Sequence, residues 1–231
     1  MILGIDTAGQ ALSVALGDGA QLCGVVTLQR PNAHDALLAP VIRDLLSHCG
    51  LEPAGLTELA VSAGPGSFTG LRIGMAAAKG MAASLRIPLA TVPTLEALAS
   101  AVSRHSDVAE GSTLLAALDA RREQLYHATF ILRNGAWVPS GESGLSRTED
   151  VAGAIGEDTI LAGDGVPLLL QHCRVPVRAL PQVAADASDI VLLGSRRMEA
   201  GETADIASCE PLYMQEFIVK QAKNALFPSS D

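Results

Sequence analysis

The amino-acid sequence predicts an α/β fold of two similarly built lobes, each a mixed sheet flanked by helices. Three observations carry this. Short apolar runs alternate with stretches of helical periodicity along most of the chain. Two hairpin signals, Asp18-Gly19 and Asn134-Gly135, each fall between strand-like segments. The order of elements in the first half then recurs in the second.

Residues 2–6 are an apolar run that ends in Asp6 and read as a strand rather than a signal peptide. Leu12, Val14 and Leu16 alternate as in a half-buried strand, and Leu22 to Leu28 returns beside it after Asp18-Gly19. A helix follows, with Asn32 as its N-cap and Leu37, Leu38, Val41, Ile42, Leu45 and Leu46 on one stripe. Gly50 stands where a left-handed cap ends such a helix, and Pro40 removes one backbone bond inside it, which predicts a kink or an offset start. A strand at 59–63, a helix from Met75 to Leu85, a strand at 89–92 and a helix from Thr94 to Arg104 complete the first series.

In the second half an apolar run ends at Leu118-Asp119 as the first ends at Ile5-Asp6. Leu125 to Leu132 and the Asn134-Gly135 turn repeat the hairpin, and 149–155 is a short helix. Thr159 to Gly165 mirrors the strand that enters Gly64-Pro65-Gly66. A helix at 166–173, a strand at 177–180 and a helix at 186–200 close the series. Hairpins give antiparallel pairing and helical crossovers give parallel pairing, so each sheet is mixed. A duplicated lobe with a glycine turn in each half describes the actin-like architecture, RNase H-like in its sheet and shared with sugar-kinase-like ATPases. We expect an N-terminal lobe over residues 1–108 and a smaller C-terminal one over 109–231.

Composition narrows the function. Of the 231 residues 48% are apolar and only 3% aromatic, so the core must be aliphatic. A net charge of −9 makes the chain a poor match for a phosphate backbone on its own. Cys23, Cys49, Cys173 and Cys209 form no Cys-x-x-Cys pair. His34, His48, His105, His127 and His172 have neither His-Glu-x-x-His nor His-x-x-x-His spacing, so no metal site is expected. No Gly-x-Ser-x-Gly elbow is present, and no apolar run is long enough for a membrane span. These features lead us to expect a cytoplasmic protein.

The run Gly64-Pro65-Gly66-Ser67-Phe68-Thr69-Gly70-Leu71-Arg72-Ile73-Gly74 is the most informative. A strand, a glycine turn and a helix place backbone N–H groups where an anion could sit. The run is neither a Walker A loop nor a dinucleotide fingerprint, because the Gly-Lys-Ser/Thr ending and the Gly-x-Gly-x-x-Gly spacing are both missing. Gly64, Gly66 and Ser67, with Asp6 and Thr7 at the end of the first strand, are the candidates for weak ATP or ADP binding; an ordinary turn explains Asp6 and Thr7 equally well. Asp119-Ala120-Arg121-Arg122-Glu123 could hold an anion or form a solvated turn. Gly70, Gly74, Ala78 and Ala82 recur every four residues, with Ala76, Gly80 and Ser84 as a second small-residue row beside them; one row should face another element at close range, while Ile73, Ala77, Met81 and Leu85 should lie on the sheet. Together with the stripe from Leu37 to Leu46, the small-residue helix offers either core or an apolar face for a partner.

The chain resembles the TsaB (YeaZ) family of tRNA threonylcarbamoyladenosine biosynthesis. The resemblance rests on Ile5-Asp6-Thr7, His34, the whole run from Gly64 to Gly74 with Ala78-Lys79-Gly80, Ile87-Pro88-Leu89 and Thr94-Leu95-Glu96-Ala97-Leu98. Ala117 to Arg122, Tyr126, Gly163-Asp164-Gly165 and Pro211-Leu212-Tyr213 continue it. It implies an actin-like fold and a non-catalytic scaffold that requires no cofactor. Its partners would be a TsaD-like transferase and a TsaE-like ATPase, with self-association through the same helices and tRNA held mainly by the transferase. The interface implied comprises His34, Leu37, Leu38, Val41, Ile42, Leu45, Gly70, Gly74, Ala78 and Lys79. Asp35 stands where the family usually has Ser, and residues 214–231 offer little that matches it. The competing readings are an actin-like ATPase or small-molecule kinase and a metal-dependent glycoprotease; the histidine spacing gives the latter no means to act.

Overall fold

The computed structural model describes residues 1–19, 21–30 and 33–214. Strand β1 (Ile2–Asp6) is buried throughout and pairs antiparallel with β2 (Leu12–Asp18), which pairs antiparallel with β3 (Gln21–Leu28). Helix α1 (His34–His48) leads to β4 (Glu58–Gly64), parallel to β1, and α2 (Phe68–Leu85) leads to β5 (Leu89–Pro93), parallel to β4. The sheet order is β3-β2-β1-β4-β5. After α3 (Thr94–His105) come β6 (Thr113–Arg121), β7 (Gln124–Arg133), β8 (Ala136–Arg147), α4 (Thr148–Gly153), β9 (Ile160–Ala162), α5 (Val166–His172), β10 (Arg178–Leu180) and α6 (Ala187–Glu199).

The second sheet runs β10-β9-β6-β7-β8, the first order read from the opposite edge, with the same antiparallel and parallel pairings. The duplication extends to backbone detail. Gly64, the last residue of β4, and Gly163, the first after β9, have φ of +105° and +104°, a region that only glycine enters without strain. The fold is the actin-like α/β architecture anticipated from the sequence.

Local chemistry sets the helix ends. Gly50, at φ +66°, donates to the Ser47 carbonyl, and Leu51 donates to that of Leu46, closing α1 in a Schellman motif. Ala33 occupies the N-cap of α1 without a side-chain bond, whereas Asn32 lies outside the described residues. Pro40 stays inside an unbroken helix. At the start of α6 Asp186 and Asp189 form a reciprocal capping box.

The two lobes exchange helices. Leu95, Leu98, Ala99, Ala101 and Val102 of α3 pack with Leu114, Ala116, Phe130 and Ile160 of the second sheet. Ala187, Ile190 and Val191 of α6 pack with Ile2, Ala15, Ala60 and Ala90 of the first. Packing therefore crosses the division expected at residue 108. The two helices are tied by charge: the Arg104 guanidinium donates through Nε to Asp189 Oδ1 at 3.0 Å and through Nη2 to Asp189 Oδ2 at 2.5 Å, and lies 3.3 Å from Asp186. At the far end Arg197 bonds Glu96 at 2.6 Å. No helix among the described residues is long and apolar enough to cross a membrane.

Candidate functional site

The glycine run closes onto the chain itself. Helix α2 begins at Phe68, not Met75, with Ser67 as its N-cap: its Oγ accepts from the Gly70 N–H at 3.2 Å. The Ser67 N–H donates to the Ala8 carbonyl at 2.7 Å. A Cβ added at Gly66 would strike that carbonyl, one at Gly70 the Thr7 carbonyl, and one at Gly74 the Thr7 hydroxyl. The turn after β1 is thus seated directly on the first two turns of α2. Thr7 Oγ1 is buried and makes no hydrogen bond, which fits its close approach to Gly74.

Asp6, 7% exposed, turns its carboxylate back to accept from the Ala8 N–H at 3.0 Å. Burial raises its pKa, and the nearby carboxylates of Asp189 and Asp186 push the same way. Two amides that an anion cradle would use, those of Ser67 and Gly70, are already bonded within the chain. The sequence brings Asp6, Thr7, Gly64, Gly66 and Ser67 together as expected, but as parts of a packed junction.

On the outer side of α2 lies a groove of about 880 Å³ against α1. Leu38, Ala39, Ile42 and Leu46 of α1 face Ile73, Ala77 and Met81 of α2 across it, with Asp35, Arg43 and Glu52 among the polar residues of its lining. The small-residue row of α2 does face another element at close range, but that element is the chain's own Thr7 turn and not a partner. Gly70, Gly74, Ala78 and Ala82 are buried on the inner side, because the Thr7 turn needs the space that small side chains leave. Ile73, Ala77 and Met81 are half-buried: they pack against the first core and also line the groove.

Of the residues expected to form a partner interface, Leu38 and Ile42 line the floor of the groove while being buried members of the first core. Leu37 and Val41 are half-buried against the same core but outside the groove, and Leu45 is buried toward Gly24 of β3. His34 is buried, its Nε2 bonded to the Ala11 carbonyl at 3.3 Å, and therefore anchors α1 from within. Gly70, Gly74 and Ala78 are interior, for the packing reason given above. Asp35 is exposed at the groove.

Lys79 serves the chain's own C-terminal strap, residues 204–213. Its Nζ donates to the Cys209 carbonyl at 2.9 Å and the Ala207 carbonyl at 3.3 Å. The strap is also held by backbone bonds from Ala204 to Leu89 and from Leu212 to Ala63, both 2.7 Å, and by Ile206 and Cys209 in the first core. At its end the Arg72 guanidinium lies 3.8 Å from the Phe68 ring centre and 5.7 Å from that of Tyr213, and Nε donates to the Tyr213 hydroxyl at 2.9 Å. Sequence reasoning missed the strap; Pro211-Leu212-Tyr213 was its only signal.

In the second lobe Arg121, Arg122 and Glu123 all have positive φ, 71°, 54° and 57°. The turn is held by the Arg121 N–H on Asp119 Oδ1 at 2.7 Å and by Thr148 on the Glu123 carbonyl. Asp164 accepts from the Asp119 N–H at 2.9 Å, and burial raises its pKa. Among the described residues no group of three or more His, Cys, Asp or Glu is placed to hold a metal ion.

Duplicated sheets, exchanged helices and a groove outside the glycine helix define an actin-like protein whose glycine turn is internal and whose open apolar surface lies between helices. Residues 19–155 match the family described as TsaD, tRNA N6-adenosine threonylcarbamoyltransferase. The tRNA threonylcarbamoyladenosine biosynthesis protein TsaB of Escherichia coli is 30% identical over 93% of this chain and 94% of its own length. The TsaB of Bacillus subtilis is 38% identical over 58% of this chain and 56% of its own. YeaZ from Pseudomonas aeruginosa superimposes with a TM-score of 0.83 at 28% identity, covering 92% of this chain and 98% of that one. The chain belongs to the TsaB (YeaZ) family.

Proposed function

We propose that this chain is a non-catalytic assembly subunit in the formation of threonylcarbamoyladenosine in tRNA. It offers the groove between α1 and α2 to a TsaD-like transferase, a TsaE-like ATPase joins that pair, and two copies of the chain associate through the same surface. The observation that carries the reading is the groove itself: an apolar depression between two helices, with Leu38, Ile42, Ile73, Ala77 and Met81 along it, in an acidic chain. A second support is that the glycine turn is occupied by the chain's own Ala8 and Thr7. No cofactor is required on this reading. Transfer RNA is held mainly by the transferase, which accords with a net charge of −9.

The test is Gly80→Glu. Gly80 lines the groove and has open space where a Cβ would stand, so the substitution adds a charge without a clash. The variant should fold with undiminished thermal stability, fail to co-purify with the transferase, and fail to support modification in a reconstituted assay. Normal binding and activity of Gly80→Glu would overturn the reading, as would Mg-ATP turnover by the isolated wild-type chain.

A further inference from the structure

Next to the groove the strap leaves a second depression, of mixed charged and apolar lining, and α2 joins the two. Ala76 lines both the groove and a depression bounded by Arg72, Met75, Lys79, Cys209, Pro211 and Tyr213. Tyr213, exposed by 40%, lines this depression, and its chain neighbour Leu212 is exposed by 47%. Exposed large apolar side chains that continue an apolar groove widen the surface available to one partner.

Arg72 has an unusual setting for an exposed cation. Phe68 and Tyr213 hold its guanidinium, and the Tyr213 hydroxyl takes its Nε proton. Its two Nη groups form no ion pair among the described residues, although Glu210 lines the same depression. A guanidinium fixed in orientation loses little further freedom when it binds a carboxylate through a two-pronged contact.

We propose that the partner surface extends from the groove over α2 onto the strap, with Arg72 as a preformed anchor for a carboxylate of the same protein partner. The inference rests on the groove reading above and adds to it what the partner must present: an apolar ridge for the groove and an acidic side chain beside it. Leu212 and Tyr213 would be covered together with Arg72, and the strap then becomes part of the binding surface. Protein is favoured over RNA because the chain as a whole is acidic and Met75, Ala76, Pro211 and Tyr213 set apolar side chains beside the charges of the depression.

The experiment titrates the purified TsaD-like transferase into the full chain at several salt concentrations, with Arg72→Met, Tyr213→Phe and Gly80→Glu in parallel. Arg72→Met should weaken binding about tenfold and flatten its salt dependence, and Tyr213→Phe, which keeps the ring and loses the hydroxyl, should weaken it less. If Gly80→Glu abolishes binding while Arg72→Met changes neither affinity nor salt dependence, the anchor is overturned and the groove stands. If neither variant matters, both readings fall. An affinity loss with unchanged salt dependence and a lowered melting temperature would make Arg72 a clamp for the strap only. Lower tRNA retention by the complex at unchanged transferase affinity would assign Arg72 to RNA; either result overturns the proposal.

Discussion

Replacing Arg104 by Met tests how firmly α3 and α6 are joined. Asp189 is fully buried and the Arg104 side chain is 32% exposed, so removing the cation leaves a carboxylate without its charge partner inside the protein. Breaking a buried pair from one side costs about 3–5 kcal/mol. Two features favour the lower end: water reaches part of the guanidinium, and the Asp186 N–H still donates to Asp189 Oδ2 at 3.2 Å. A loss of about 3 kcal/mol corresponds to about 6–12 °C in melting temperature for a chain of this size. Differential scanning calorimetry reads it directly. Adding Asp189→Asn to Arg104→Met removes the stranded charge while keeping an acceptor for the Asp186 N–H, and should restore most of the loss. A single-variant shift under about 2 °C, or a double variant as unstable as the single one, would refute the account.

Opposite effects are expected from alanine at two glycines of α2. Gly74→Ala should destabilise by about 1–2 kcal/mol, the collision with Thr7 outweighing the roughly 1 kcal/mol gain in helix propensity; Gly80→Ala, in open space, should stabilise by about 1 kcal/mol. Urea unfolding of the pair decides, and equal signs would show that α2 is not packed as described. Asp6→Asn should stabilise the protein at neutral pH, since its oxygen still accepts from the Ala8 N–H and the buried charge is gone. The sign follows from the raised pKa: the folded state binds the Asp6 proton more tightly than the unfolded chain, so wild-type stability falls as pH rises from the unfolded value through the folded one. The advantage of the variant should therefore vanish below about pH 3 and reach its full size near neutrality, read from urea midpoints across that range.

Much of the fold could be read from the sequence, because hairpin signals and apolar runs are local. Asp18-Gly19 and Asn134-Gly135 sit at the turns they predicted, and the strand ending at Leu180 and the helix at 187–199 fall within a residue or so of expectation. The start of α2 was not legible. Glycines at 70 and 74 look like a loop by propensity, and only the nearby Thr7 turn explains their place in a helix. The same tertiary contact decided which face of α2 is inside, so the expected interface was partly transposed into the core. The groove was half visible: the apolar stripe of α1 announced Leu38 and Ile42, but the stripe alone could not separate them from Leu37, Val41 and Leu45. The pairing of Arg104 with Asp189, 85 residues apart, has no local signal at all.

The exchanged helices bear on how the chain can be assembled during synthesis. The first sheet is complete once β5 has formed, yet one of its faces stays bare until α6 emerges, roughly a hundred residues later in the chain. The N-terminal half must therefore wait, partly uncovered, until α6 has been made. Two fragments cut between α3 and β6 should each be sticky alone and regain a native core only when mixed, each half supplying the helix that the other lacks.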